Sequence, residues 1–198
     1  LQGRWRNPGV LLACMLALPA LGLDVSHPAL RDELLRLGER DQQALKATAM
    51  GEQKLAELQA AHTRRLQQIV RQHGWPALSM VGPQAAQGAW LLAQHDDANP
   101  AWQREALAQM EKLLPSHQVS RKEVAYLRDR VAVNGGGMQS YGTQGGCVAA
   151  GVWQPKPVDA PEQLAQRRAE MGMPPLEEYV KMASERMCRN WKPAGGGQ

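Results

Sequence analysis

The feature that most constrains this chain is the stretch from Pro28 to His73, rich in Leu, Ala, Gln, Glu and Arg, with almost no helix breakers and no β-branched run. Such a composition favours helix and disfavours strand. Leu30, Leu34, Leu37 and Leu45 mark one apolar stripe, and Leu55, Leu58, Leu66 and Ile69 a second, at helical spacings. Gly51 either divides the segment into two antiparallel helices or is tolerated inside one long helix. Gly74-Trp75-Pro76 ends it, with glycine suited to the left-handed position after a helix and proline unable to continue the turn. His62 and His73, on or near the second stripe, are read as packing or surface residues, because no other ligand stands at metal spacing.

Shorter helices follow. Pro83 opens one that reaches His95, and Asn99-Pro100 is a cap and first-turn pair for the next, whose buried face is Trp102, Ala106, Met110 and Leu113. Ser120-Arg121-Lys122-Glu123 is a capping box for a third. Further helices begin near Asp159, stopped by Gly172, and near Pro175. The segment from Asn134 to Val158 breaks the pattern with seven glycines. Within it, Met138–Tyr141 and Val148–Val152 are the candidates for a short hairpin. The fold class expected is therefore mainly α, a single-domain multi-helix bundle with a long glycine-rich loop or short β-hairpin.

Arg4 and Arg6, an apolar run from Gly9 to Leu18, and small residues at Ala20 and Gly22 outline a signal peptide over residues 1–22. The run is far shorter than the ~20 residues needed to span a bilayer, so no transmembrane anchor is expected in the mature protein. The organisation expected is then a helical segment over 23–73, a helical core with a polar loop over 74–192, and a disordered tail over 193–198. Removing Arg4 and Arg6 lowers the 23 basic residues to 21 against 19 acidic ones. That near balance, without a basic run interleaved with aromatics, argues against a nucleic-acid partner. Export also predicts a Cys147–Cys188 disulfide, since thiols oxidise outside the cytoplasm, and a periplasmic or secreted location.

Three features carry candidate chemistry. His95 ends a helix, where capping favours the protonated ring, and it is also a general acid or base if a carboxylate orients it. Asp129 lies between Tyr126 and Val133 on a helix whose other face, Val124, Leu127 and Val131, is apolar. It needs partners there, either as a tie from helix to loop or as a catalytic group. Gln139-Ser140-Tyr141-Gly142-Thr143-Gln144 sets five hydrogen-bonding side chains between glycines, a pattern suited to recognition without charge. No phosphate loop, nucleophile elbow or His-Glu-x-x-His pair is present, and no metal or cofactor is expected.

Taken in order, Gly74-Trp75-Pro76, Gln94-His95-Asp96, Asp129-Arg130-Val131, Gln139-x-Tyr141-Gly142-Thr143-Gln144, Arg167-Arg168-Ala169 and Pro175-Leu176-x-x-Tyr179 resemble the signature of an uncharacterised bacterial family, a domain of unknown function. The resemblance covers roughly residues 70 to 180; the N-terminal helices and the two cysteines are not part of its motifs. It implies that His95, Asp129, Arg130, Gln139, Tyr141, Thr143, Gln144 and Arg168 belong together. The expectation is a single pocket, in which His95 and Asp129 act as acid, base or orienting group. Arg130 or Arg168 holds an anionic group, and the Gln139–Gln144 loop binds the neutral part of a small-molecule or cell-envelope ligand. The function expected is a metal-independent hydrolase or transferase of the envelope; the alternative is a non-catalytic, inhibitor-like binder of a ligand or protein.

Overall fold

The computed structural model describes residues 25–47 and 51–192. The signal peptide expected over residues 1–22 and the tail expected over 193–198 lie outside those residues. Within them stand eight α-helices and one two-stranded antiparallel hairpin.

The N-terminal stretch forms two helices, α1 (Pro28–Lys46) and α2 (Glu52–His73). They pack against each other, with Arg65 donating to Glu33 on the facing helix. A short α3 (Leu78–Val81) follows, then α4 (Pro83–Gln94), with proline in its first turn and His95 as its C-cap. α5 (Pro100–Leu113) starts where Asn99 Oδ1 accepts from the Trp102 amide at 3.3 Å. α6 (Arg121–Asn134) starts where Ser120 Oγ accepts from the Glu123 amide at 3.4 Å. Both side chains satisfy amides that the helix itself leaves free.

The main core lies among these helices. Leu34, Leu66, Ile69, Ala89, Trp102, Met110, Val124 and Leu127 are all buried in it. α1 and α4 meet through two glycines: a Cβ on Gly38 would stand 2.9 Å from the Gly88 Cα, and one on Gly88 would stand 2.9 Å from the Leu34 carbonyl oxygen. Neither position can carry a larger residue without separating the helices.

Beyond α6 the chain builds a second unit. β1 (Gly145–Ala149) and β2 (Val152–Pro155) pair as a hairpin turning at Gly151, whose φ is +72°. Neither strand is where sequence patterning put it. The Met138–Tyr141 backbone is unavailable, because Ser140 and Tyr141 give their amides to the Asp129 carboxylate, so the hairpin forms further along. A 3₁₀ turn (Pro161–Gln163) leads into α7 (Leu164–Glu170), and α8 (Leu176–Met187) closes the domain. The Cys147–Cys188 disulfide ties β1 to the end of α8 across 41 residues. Around it Trp153, Tyr179 and Ala183 form a small separate core. Among the described residues no helix is long and apolar enough to cross a membrane.

Candidate functional site

Asp129 sits on α6 with no exposed surface. Its Oδ1 accepts from the Ser140 amide at 2.8 Å and the Tyr141 amide at 3.0 Å. Its Oδ2 accepts from the Thr143 amide and the Thr143 hydroxyl, both at 2.9 Å. The carboxylate thus serves as the hub about which the loop folds. Gly142 gives the turn its φ of +72°.

The other polar residues of the loop close on themselves. Gln139 is fully buried; its amide group donates to the Gln144 and Lys156 carbonyls and accepts from the Gln144 amide, at 2.7 to 2.8 Å. Gln144 donates to the Thr143 hydroxyl at 3.0 Å. Tyr141 accepts at its hydroxyl from Arg128, and Tyr179 donates to the Thr143 carbonyl at 3.1 Å. Arg167 holds the Ser140 carbonyl, and Arg168 holds the Tyr141 and Pro174 carbonyls. Arg168 is only 1 % exposed and stacks 5.4 Å from the Tyr179 ring. Burial pulls its pKa down, against the opposing pull of Tyr126, Tyr179, Asp129 and Glu177.

His95 has a different neighbourhood. Its Nδ1 lies 2.6 Å from Asp41 Oδ2, and Asp41, on α1, is 1 % exposed. The other Asp41 oxygen lies 3.9 Å from His62 Nδ1 on α2. Burial alone would raise the Asp41 carboxyl; the two imidazoles outweigh it and hold the group down at about 2. Because a carboxylate only accepts, the His95 proton on this side belongs to Nδ1. Nε2 then remains for other chemistry.

His95 lines a cleft of about 280 Å³, together with Leu45, Gln59, Asp96, Asp97 and Arg130. Gln103, fully buried on α5, fixes the wall by donating to the Ala93 carbonyl at the end of α4, and accepts from Asn134. Four buried polar atoms on α2 and at the end of α4 have no hydrogen-bond partner among the described residues: His62 Nδ1, Thr63 Oγ1, Gln94 Oε1 and Asp96 Oδ2. Asp96 has a raised pKa, chiefly from burial.

The sequence expectation of one pocket therefore meets two assemblies. His95 belongs to the cleft and Asp129, Gln139, Tyr141 and Thr143 to the closed loop, while Arg168 holds the Tyr141 carbonyl and lines a different cleft. Arg130 joins the assemblies: its Nε and Nη2 grip Asp97 at 2.8 Å, and its Nη1 donates to Gln144 Oε1 at 3.0 Å. Asp41 is the residue that sequence reasoning passed over. The signal was present, since Asp41 stands seven residues after Leu34 and four before Leu45, an acid inside an apolar stripe. No group of three or more His, Cys, Asp or Glu side chains among the described residues has metal-holding geometry.

The model of a family of unknown function, DUF6624, matches residues 28–189. The chain belongs to that family. The match begins at Pro28, well before the signature recognised in the sequence, so it takes in α1 and α2 with Asp41 and His62, and both cysteines. No curated protein and no solved structure matches the chain.

Proposed function

Taking the chain as a member of that family, we propose that it is an exported, metal-independent hydrolase or transferase whose acid–base group is His95, oriented by Asp41. The observation that carries this reading is the 2.6 Å contact between His95 Nδ1 and a buried carboxylate, at the edge of a cleft. A histidine so held presents its Nε2 in a fixed direction. It takes a proton from an attacking water or hydroxyl and returns it to the leaving group, while Asp41 stabilises the imidazolium formed between the two steps. Asp129 acts at one remove, shaping the loop that supplies Gln144 to Arg130. The Cys147–Cys188 disulfide is consistent with an oxidising compartment and supports export.

The non-catalytic binder is favoured by two observations: the polar groups of the Gln139–Gln144 loop are spent on one another and on Asp129, Arg128 and Arg130, and the cleft lining among the described residues includes no Ser, Thr or Cys. Hydrolysis of chromogenic nitrophenyl esters and of cell-wall fragments by the native protein, His95→Ala and Asp41→Asn separates the readings. Catalysis predicts a loss of about 10²-fold or more in His95→Ala with little change in Tm. Turnover equal in all three proteins would remove the acid–base role.

A further inference from the structure

Ser120 and Glu123 make only half of the capping box that their spacing announces. The Ser120 hydroxyl accepts from the Glu123 amide at 3.4 Å, but the reciprocal bond, from the Ser120 amide back to the Glu123 carboxylate, is not formed. Among the described residues that carboxylate has no hydrogen-bond partner and no cation within ion-pair distance. Both of its oxygens are nevertheless open to solvent: the residue is only half-buried, and neither oxygen stands among the sealed polar atoms that lack a partner. Burial is the one influence acting on the carboxyl, and it pushes the group up to about 7. A carboxylate left in this condition gains most from an approaching cation.

Glu123 lines a cleft of about 310 Å³ where α3 and α4 meet the start of α6. The other walls are Leu78, Pro83, Gln84, Gln87 and Ser120, so Glu123 is the one charged group among the described residues that line it. Gln84 and Gln87 are exposed and stand three residues apart on α4, which puts them on one face, and neither side-chain amide is engaged among the described residues. Their carbonyl oxygens and the remaining lone pair of the Ser120 hydroxyl are acceptors. Leu78 and Pro83 add a short apolar wall. One negative group, neutral acceptors beside it and a strip of hydrocarbon match an alkylammonium, which carries one positive charge, three donors and an apolar chain.

We propose that this cleft binds a primary alkylammonium group, its charge meeting the Glu123 carboxylate, its other donors the Gln84 and Gln87 carbonyls, and its chain lying on Leu78 and Pro83. A quaternary ammonium lacks the donors and an alcohol lacks the charge, so neither replaces it. The cleft shares no lining residue with the one at His95 and does not depend on the activity proposed there.

The test is an amide-resolved NMR titration of the full chain with butylammonium chloride at constant ionic strength, with butanol and tetramethylammonium as controls. The pH is held at about 8, above the titration of Glu123 and below that of an alkylamine. Butylammonium should shift the Gln84, Gln87 and Glu123 amides saturably, and both controls should bind at least tenfold more weakly. Glu123→Gln, which keeps the shape of the side chain and removes its charge, should weaken binding at least tenfold. Gln87→Trp, which fills the cleft from an exposed helix position and leaves Glu123 in place, should abolish it, and His95→Ala should leave it unchanged. Nα-acetyl-lysinamide carries the same group on a protein-like stem: tighter binding than butylammonium assigns the site to a lysine side chain, weaker binding to a free amine, and either upholds the shared chemistry. A Glu123 that serves α6 alone predicts no saturable response. Absence of saturable shifts at the cleft, equal binding of butanol or tetramethylammonium, or binding that survives Glu123→Gln or Gln87→Trp would overturn the proposal.

Discussion

Asp129 and Asp41 are both buried aspartates on helices, and their oxygens meet opposite kinds of partner. Asp129 receives rigid donors, three backbone amides and one hydroxyl, all from a single loop. Asp41 faces two imidazoles from two other elements. Amides cannot change protonation state, so the first arrangement can only hold a shape. Imidazoles can, so the second can move a proton. Burial alone does not distinguish a structural carboxylate from a chemical one; the titratability of its partners does.

The largest effect expected is from Asp129→Ala. It strands the amides of Ser140, Tyr141 and Thr143 together, each costing roughly 1 to 3 kcal/mol when buried unpaired. Loss of the cooperative thermal transition, or a drop well above about 3 kcal/mol in urea unfolding, is predicted. A near-native variant would break the contrast with Asp41. Reduction of the disulfide comes next: a loop of this length contributes roughly 4 kcal/mol in the chain-entropy model, read as a fall in Tm on adding reductant. The loss should register at the hairpin and α8, as faster amide exchange there than in α4 and α5.

Asp41→Asn should cost less at neutral pH, and its cost has a defined pH dependence. The native carboxyl is held at about 2 against an ordinary 3.8. Its contribution to stability is therefore present above pH 3.8 and is lost as pH falls through about 2. The Tm gap between native and Asp41→Asn proteins should narrow over that window. A gap constant with pH would mean that Asp41 does not act as a charge.

Glu123 sharpens the comparison from the other side, as a carboxylate to which no side-chain partner falls among the described residues. Burial pushes it up to about 7. A raised acid favours the folded state fully below its unfolded value of 4.5, and that advantage is lost as pH rises through about 7. Glu123→Gln should raise Tm slightly above pH 7 and leave it nearly unchanged below 4.5.

Much of the fold was legible because helix signals are local. Pro83, Asn99-Pro100 and Ser120 each mark a helix start through the residue itself, and the observed helices begin there. The cysteine pair was legible too, since the export expected from the sequence would leave two thiols and one way to join them, and the Cys147–Cys188 bond is the one observed. The hairpin was misplaced because its position depends on which amides remain free, and Asp129, eleven to fourteen residues upstream of the ones it takes, decides that. The site was legible only in pieces for the same reason. Local reading found His95 without a partner and Asp129 without a partner and joined them. His95 instead reaches back 54 residues to Asp41, and Asp129 forward to the loop. An acid within an apolar stripe is visible in sequence; the element that will face it is not.

The central claim, that Asp41 and not Asp129 orients His95, is tested most directly by ¹⁵N NMR of the imidazole tautomer above the ring's titration. The account predicts a neutral His95 protonated at Nδ1 in the native protein, with that preference lost in Asp41→Asn. A ring protonated at Nε2 in the native protein, or one unchanged by Asp41→Asn, would contradict it.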